Sequence, residues 1–534
     1  MRIRTLCVTA VGLAAALTGG SAAAADGGTA TATRASTNTS TATSSDAAAA
    51  HADAAGRSAN AAPAAGSSAK SAQRASERAS VREDFNGDGF QDVATAAPNA
   101  TVAGKARAGY VVVTYGSASG LDPDSSTYLD QNSAGVPGTA EADDYFGAKL
   151  VARDLDGDGL TDLAVRSSGE RVDATDSYGT VTVLWGRTGG ISGQGAATIE
   201  APAGSSGWAV GANLTAGDFD GDGDTDLFME HGDDWEQRSV LSGPFTRGGE
   251  DAGEQRIDMF TTDNDIHTVV AGDVTGDGID DLMTFYVYQN HSEGGRFWRG
   301  TSSGLSTEAK QLSSADTAVV GDFDKDGKGD LATRTVPGGI TEDLPYDPGT
   351  VKIYYGTADG PSSTRTTTIT QNTAGVPGVS EKGDQFGARL DAADVNGDGY
   401  ADLAAGVPFE AIGKKAAAGA VVLLKGRSGG LSGTGAQAFH QDTAGIPGVA
   451  EAGDRFGGAV RLLDVTKDGK AELAVAAPEE NGTGAVWSLR GTANGLTATG
   501  SLAFNPVDLG TPAAGATFGN SFANEQGTSL YPPY

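Results

Sequence analysis

The sequence predicts an all-β fold assembled from propeller blades, on three observations. A nine-residue acidic segment occurs seven times, with starts 70, 64, 55, 49, 72 and 70 residues apart. Short β-rich apolar runs flank the copies and close in Gly-rich turns, with no helical period. A unit of about 65 residues holding several strands has the size of a propeller blade.

The copies read D-F-N-G-D-G-F-Q-D from Asp84, D-L-D-G-D-G-L-T-D from Asp154, D-F-D-G-D-G-D-T-D from Asp218 and D-V-T-G-D-G-I-D-D from Asp273. Three more follow: D-F-D-K-D-G-K-G-D from Asp322, D-V-N-G-D-G-Y-A-D from Asp394 and D-V-T-K-D-G-K-A-E from Asp464. An F-G pair precedes several of them, at Phe146-Gly147, Phe386-Gly387 and Phe456-Gly457. An apolar run follows, such as Leu163 to Val165 or Leu473 to Val475, ending in Ala-Ala-Pro at 96–98 and 476–478 or in Gly406-Val407-Pro408. A third run comes next: Tyr110 to Tyr115, Val181 to Trp185, Val351 to Tyr355 and Val421 to Leu424.

These residues resemble FG-GAP repeats, as in the integrin α-subunit head and related bacterial extracellular proteins. The resemblance covers roughly residues 81–524. It implies a seven-bladed β-propeller with calcium-binding loops, and the loop count reaches seven independently. Blades three to five lack a clear F-G. The first repeat also has none before Asp84, while Phe518-Gly519 has no loop after it. Two readings stay open there: the C-terminal segment supplies the strand missing from blade one, or it is the remnant of an eighth repeat.

The loops suit calcium, which takes six to eight hard oxygen ligands on a tightly turning backbone. Positions one, three, five and nine offer side-chain oxygens, position seven its carbonyl, and glycine at position six permits the turn. The candidate ligands are Asp84, Asn86, Asp88, Phe90 and Asp92 in the first loop, and Asp154, Asp156, Asp158, Leu160 and Asp162 in the second. The third offers Asp218, Asp220, Asp222, Asp224 and Asp226, and the fourth Asp273, Thr275, Asp277, Ile279 and Asp281. The fifth offers Asp322, Asp324, Asp326, Lys328 and Asp330, and the sixth Asp394, Asn396, Asp398, Tyr400 and Asp402. The seventh offers Asp464, Thr466, Asp468, Lys470 and Glu472. Up to seven calcium ions are expected, the loops at Asp273 and Asp464 binding most weakly because Thr275 and Thr466 replace a carboxylate. An EF-hand would need Glu at position twelve. That position holds Thr95, Val165, Met229, Thr284, Thr333, Ala405 and Val475. The metal is expected to be structural, tying two strands of each blade.

The loops also localise the charge. The chain has 69 acidic and 37 basic residues, a net charge of −32, which argues against a nucleic-acid partner. Twenty-four of those carboxylates sit at positions one, three, five and nine, and without them the balance is near neutral.

The N-terminal part is expected to lie outside the propeller. Residues 1–25 read as a secretory signal: Arg2 and Arg4, an apolar run from Leu6 to about Leu17, then Ala23-Ala24-Ala25. Residues 26–80, mostly Ala, Ser and Thr, carry too little apolar surface to offset the entropy of ordering. They are expected to be a disordered linker, suited to a spacer through a cell-wall layer. The expected propeller domain is 81–534. The one cysteine, Cys7, falls in the signal, so metal takes the place of disulfides. No later run approaches the roughly 18 apolar residues of a membrane span.

Catalytic motifs are not evident. The five histidines, His51, His231, His267, His291 and His440, show no metal-ligand spacing. Gly300 to Gly304 matches G-x-S-x-G formally but occupies the same turn as Gly116 to Gly120. Trp185, Trp208, Trp235, Trp298 and Trp487 suit blade packing or a sugar-binding face. Near-copies at Gln131 to Gly138, Gln371 to Gly378 and Gln441 to Gly448 suit an inter-blade connection, with a repeated binding loop as the alternative. The expectation is a secreted, monomeric binding or adhesion module for an extracellular protein or glycan. An extracellular hydrolase or lyase built on a propeller is the alternative.

Overall fold

The computed structural model describes residues 83–526, apart from 172–177, 203–208, 233–236 and 258–264. The signal and linker segments lie outside the described residues, as do Trp208 and Trp235. Seven antiparallel sheets follow one another along the chain, six of four strands and one of three. The three-stranded sheet is β1 (Val93–Ala97), β2 (Tyr110–Tyr115) and β3 (Asp122–Leu129). The next, β4 (Phe146–Arg153), β5 (Asp162–Arg171), β6 (Tyr178–Leu184) and β7 (Ala197–Ile199), is a simple meander, and the other five repeat it. This is the seven-bladed propeller that the loop count predicts.

Each blade is buried on both faces, which explains its unbroken apolar runs. On β2, Val111 and Val113 pack with Leu150, Leu163 and Val165 of blade two. Their neighbours Tyr110 and Val112 point the other way, into Ala474, Ala476 and Val486 of blade seven. Seven apolar clusters result, one between each pair of adjacent blades. A strand sandwiched in this way has no polar face and shows no alternation.

The F-G pair is an inter-blade joint. The amides of Phe146, Phe386 and Phe456 donate to Ala108, Pro348 and Ala418 of the preceding blade, each at 2.9 Å. The acceptor precedes Gly109, Gly349 or Gly419, glycines with φ of 82°, 92° and 84°. A Cβ on any of them would collide with the phenylalanine backbone, so close approach and backbone conformation both require glycine here. In blade three Val210-Gly211 takes this place: Gly211 donates to Glu230 at 3.0 Å, as Gly387 does to Gly406 at 2.9 Å. Blades four and five instead carry Ile266-His267 and Ala315-Asp316, each with a register shift. There a buried polar cluster forms the joint, with Asp316 bonded to His267 Nε2 at 2.8 Å and to Arg334 Nη1 at 2.7 Å.

The C-terminal segment closes the ring. Gly519 donates to Ala96 at 3.1 Å, Ala96 to Ser521 at 3.0 Å and Ala523 to Ala94 at 3.0 Å, with Phe522 opposite Thr95. Phe518 donates to Thr483 of blade seven at 2.8 Å, the same joint that the other F-G pairs make. The segment is therefore the missing inner strand of blade one and not the remnant of an eighth repeat. Among the described residues, no helix is long and apolar enough to cross a membrane.

Candidate metal centre

In blades two to seven the acidic loop joins the innermost strand to the second, and in blade one, whose innermost strand comes from the C-terminal segment, it leads directly into the second, so all lie at one end of the ring. Each folds around its own carboxylates. The position-one aspartate accepts the position-six amide in all seven loops, at 2.7 to 3.0 Å, from Gly89, Gly159, Gly223, Gly278, Gly327, Gly399 and Gly469. Those glycines have φ between 81° and 92°, a conformation that disfavours a side chain. The position-five aspartate accepts the position-seven amide, at 2.8 to 3.2 Å.

Position nine is the buried anchor. One oxygen of Asp92, Asp162, Asp226, Asp281, Asp330 or Asp402 accepts the position-two amide, at 2.8 to 3.2 Å. The other accepts the amide of a glycine at or just past the end of the third strand, namely Gly116, Gly186, Gly243, Gly300, Gly356 or Gly426, at 2.7 to 3.0 Å. The loop thus ties three strands, where the sequence suggested two. Glu472, with its longer side chain, reaches Gly491 only at 3.4 Å. Replacing Asp402 with alanine leaves the buried amides of Val395 and Gly426 without acceptors, at a cost of about 1–3 kcal/mol for each unsatisfied group. Asp402→Ala should therefore lower unfolding stability even in calcium-free buffer, and by more than the exposed Asp398→Ala does. Equal denaturant midpoints for the two variants would overturn this role.

Carboxylates at positions one, three and nine converge in three loops. The sets are Asp154, Asp156 and Asp162; Asp218, Asp220 and Asp226; and Asp322, Asp324 and Asp330, each with ligand atoms within 4.8 Å of one another. Position five is not part of these sets. The first and sixth loops offer an asparagine oxygen at position three, while Thr275 Oγ1 and Thr466 Oγ1 turn back within their own loops at 3.4 Å. Burial, reinforced by the neighbouring carboxylates, pushes Asp162 up to about 8 and Asp226 and Asp330 up to about 7. Asp154 Oδ1 is buried with no hydrogen-bond partner. An all-oxygen set of converging carboxylates with an unsatisfied buried oxygen fits a hard divalent cation. Nearby arginines also reach these loops: Arg247 bonds Asp156 and Asp158 at 2.6 Å each, Arg299 bonds Asp277 at 2.7 Å, and Arg365 bonds Asp324.

The remaining candidates resolve into structure. Gln131, Gln371 and Gln441 donate across to Glu170, Glu410 and Glu480 of the next blade at 2.5, 2.7 and 2.6 Å, as expected of an inter-blade connection. Gly300 to Gly304 is a hairpin turn whose first amide holds Asp281. Trp185, Trp298 and Trp487 are buried. His231 is buried against Ser239 at 3.0 Å, and burial lowers its pKa to about 4.

A ring of blades whose inner hairpins carry oxygen-rich loops defines the class as a β-propeller with candidate metal loops. The FG-GAP repeat model matches residues 78–114, 386–424 and 456–489, and an FG-GAP-like repeat model matches 154–229. The chain thus carries FG-GAP repeats. It is 34% identical over 176 residues to the phosphatidylinositol-glycan-specific phospholipase D of Rattus norvegicus, covering 32% of this chain and 18% of that protein. It is 33% identical over 122 residues to integrin alpha-4 of Xenopus laevis, covering 22% and 11%. With integrin alpha-3 of Mus musculus it shares 29% over 156 residues, covering 29% and 14%. The chain spans less than a fifth of the length of these curated relatives.

Proposed function

We propose that this chain is a secreted, calcium-stabilised propeller that acts as a binding or adhesion module for an extracellular protein or glycan. The convergence of three carboxylates in each of three loops carries the calcium reading. Similarity to two integrin alpha chains supports the binding reading, and the fold alone does not fix it. Calcium would be held by positions one, three and nine with the position-seven carbonyl, and would supply charge neutralisation and cross-linking rather than chemistry. Similarity to a phospholipase D keeps an extracellular hydrolase as the second reading. Calorimetric titration of the ion-free full chain with calcium is expected to show at least three sites, and no heat of binding would overturn the metal assignment. The binding role is tested by screening the calcium-loaded chain against matrix proteins and glycans, alongside a turnover assay on a phosphatidylinositol-glycan. Saturable capture without turnover is expected. Turnover abolished by one point substitution would favour the hydrolase.

A further inference from the structure

At six of the seven joints around the ring, one metal loop bonds directly to the next. The position-eight amide of one loop donates to the position-one carbonyl of the loop before it. Thr161 bonds Asp84 at 3.0 Å, Asp280 bonds Asp218 at 2.8 Å and Gly329 bonds Asp273 at 2.8 Å. Ala401 bonds Asp322 at 2.9 Å, Ala471 bonds Asp394 at 2.8 Å and Gln91 bonds Asp464 at 3.4 Å. At the seventh joint the bond to loop two comes from outside loop three: Phe245, just past the third strand of blade three, donates its amide to the position-two carbonyl of Leu155 at 2.8 Å. The Gln91 bond links the seventh loop to the first, so the direct bonds run unbroken from loop three around to loop two.

Side chains reinforce the same joints. At Gly87, Gly221, Gly276 and Gly397, all at position four, the position-seven side chain of the next loop lies on the glycine. A Cβ on Gly87 would come within 2.7 Å of Leu160, one on Gly221 within 2.8 Å of Ile279, and one on Gly276 within 2.7 Å of Lys328. In loops five and seven position four is lysine, and position seven of the following loop is aromatic. Lys325 Nζ lies 5.4 Å from the Tyr400 ring centroid and donates to the Asp398 carbonyl at 2.8 Å. Lys467 Nζ lies 5.8 Å from the Phe90 ring centroid and covers Gly89. Such cation–ring contacts are favourable at an exposed site.

Position eight lies between two metal-binding positions, the carbonyl at seven and the carboxylate at nine. Its hydrogen bond ends on the residue that supplies the neighbouring loop's first ligand. An ion that fixes position one of a loop therefore fixes the acceptor that orders the next loop. We propose that the loops take up calcium as one coupled series, from loop three around to loop two, each filled loop favouring its neighbour, with Lys325 and Lys467 as positioning residues at two joints. This rests on the calcium reading above. Coupling between linked sites is typically fivefold or more in affinity.

Terbium, a luminescent stand-in for calcium, tests the coupling at loop six, where Tyr400 occupies position seven. Luminescence of the full chain is taken as its difference from the Tyr400→Phe variant, so that only Tyr400-sensitised signal counts. Asp322→Asn disables loop five, and Lys325→Ala removes an exposed side chain that is no ligand of either loop. Each is expected to raise the loop-six terbium midpoint about threefold to tenfold, and Lys325→Arg to restore it. Asp218→Asn, three loops away, is expected to shift it less. Binding with an unchanged midpoint in both loop-five variants would overturn the coupling and leave the calcium reading standing. An equal shift from Asp218→Asn would also overturn it, by indicating a general loss of stability. Absence of any Tyr400-dependent signal would overturn the metal assignment of loop six and the coupling together.

Discussion

Ion-free protein is expected to lose stability as the pH rises from about 4 to about 8, and calcium to reverse the loss. The position-nine carboxyls are the cause. Burial, then neighbouring carboxylates, and against the pull of the bonded amides, raises Asp92 and Asp162 to about 8. The same forces raise Asp226, Asp281, Asp330, Asp402 and Glu472 to about 7. An acid whose pKa is raised on folding binds more protons folded than unfolded across that window. Its contribution is fully present below the unfolded value and is lost as pH passes the folded one. Calcium held in the loops as proposed would bind the ionised form and replace the proton. The melting-temperature gap between loaded and ion-free protein should therefore widen from pH 5 to pH 8. Each site held at a thousand times its Kd adds about 4 kcal/mol. Several sites together should shift the melt by on the order of 10 °C. Protein freed of ions by dialysis should be compared at each pH, because chelators lose strength in acid. A gap that stays constant or narrows toward pH 8 would refute the role given to these carboxyls.

The repeat was legible because each loop is a local device. The bonds from the position-six and position-seven amides to the carboxylates at positions one and five stay within the nine residues, so spacing alone reports that part of the geometry. The partners of position nine were less legible. Gly116 and its counterparts lie about 24 residues downstream in most loops, and glycine at a turn carries no sign of what its amide donates to. Blade three hid its joint because Val210 replaces phenylalanine while Gly211 keeps the essential backbone bond. Blades four and five hid theirs more deeply. Asp316 and Arg334 meet across paired strands of blade five, and the packing of blade four against it brings His267 into the same buried cluster. Even there the Arg334 guanidinium and His267 outweigh burial and hold the Asp316 carboxyl well below the usual range. The loop-to-loop bonds had no sequence signal, since backbone groups make them.

Removing the last inner strand should open the ring. A chain ending at Thr517 loses Phe518 and Phe522 from the cluster between blades seven and one, where both are almost fully buried. Phe518 also contacts the rings of Tyr110 and Phe504, with centroids 6.4 and 6.1 Å away. Phe518→Ala alone should cost about 3–5 kcal/mol, a large fraction of the roughly 5–15 kcal/mol that stabilises a domain. The truncation should cost more, because it also removes the buried Glu525, which accepts amides from Val460 at 3.2 Å and Phe522 at 3.1 Å and pairs with Arg389 at 3.3 Å. Glu525 thus links blades six, seven and one through a single carboxylate. Opening also bares the edge of β1, a row of unpaired amides and carbonyls that invites another chain. The truncated protein is therefore expected to elute as oligomers and to be cleaved readily by protease, even with calcium present, because an ion in each loop would staple its own blade and would not replace the missing strand. Phe518→Leu, which keeps the backbone strand and part of the apolar volume, should elute as the full chain does and melt at an intermediate temperature. If the truncated chain were monomeric and melted within a few degrees of the full chain, closure would lie in the loops and the blade contacts, and the C-terminal strand would be dispensable.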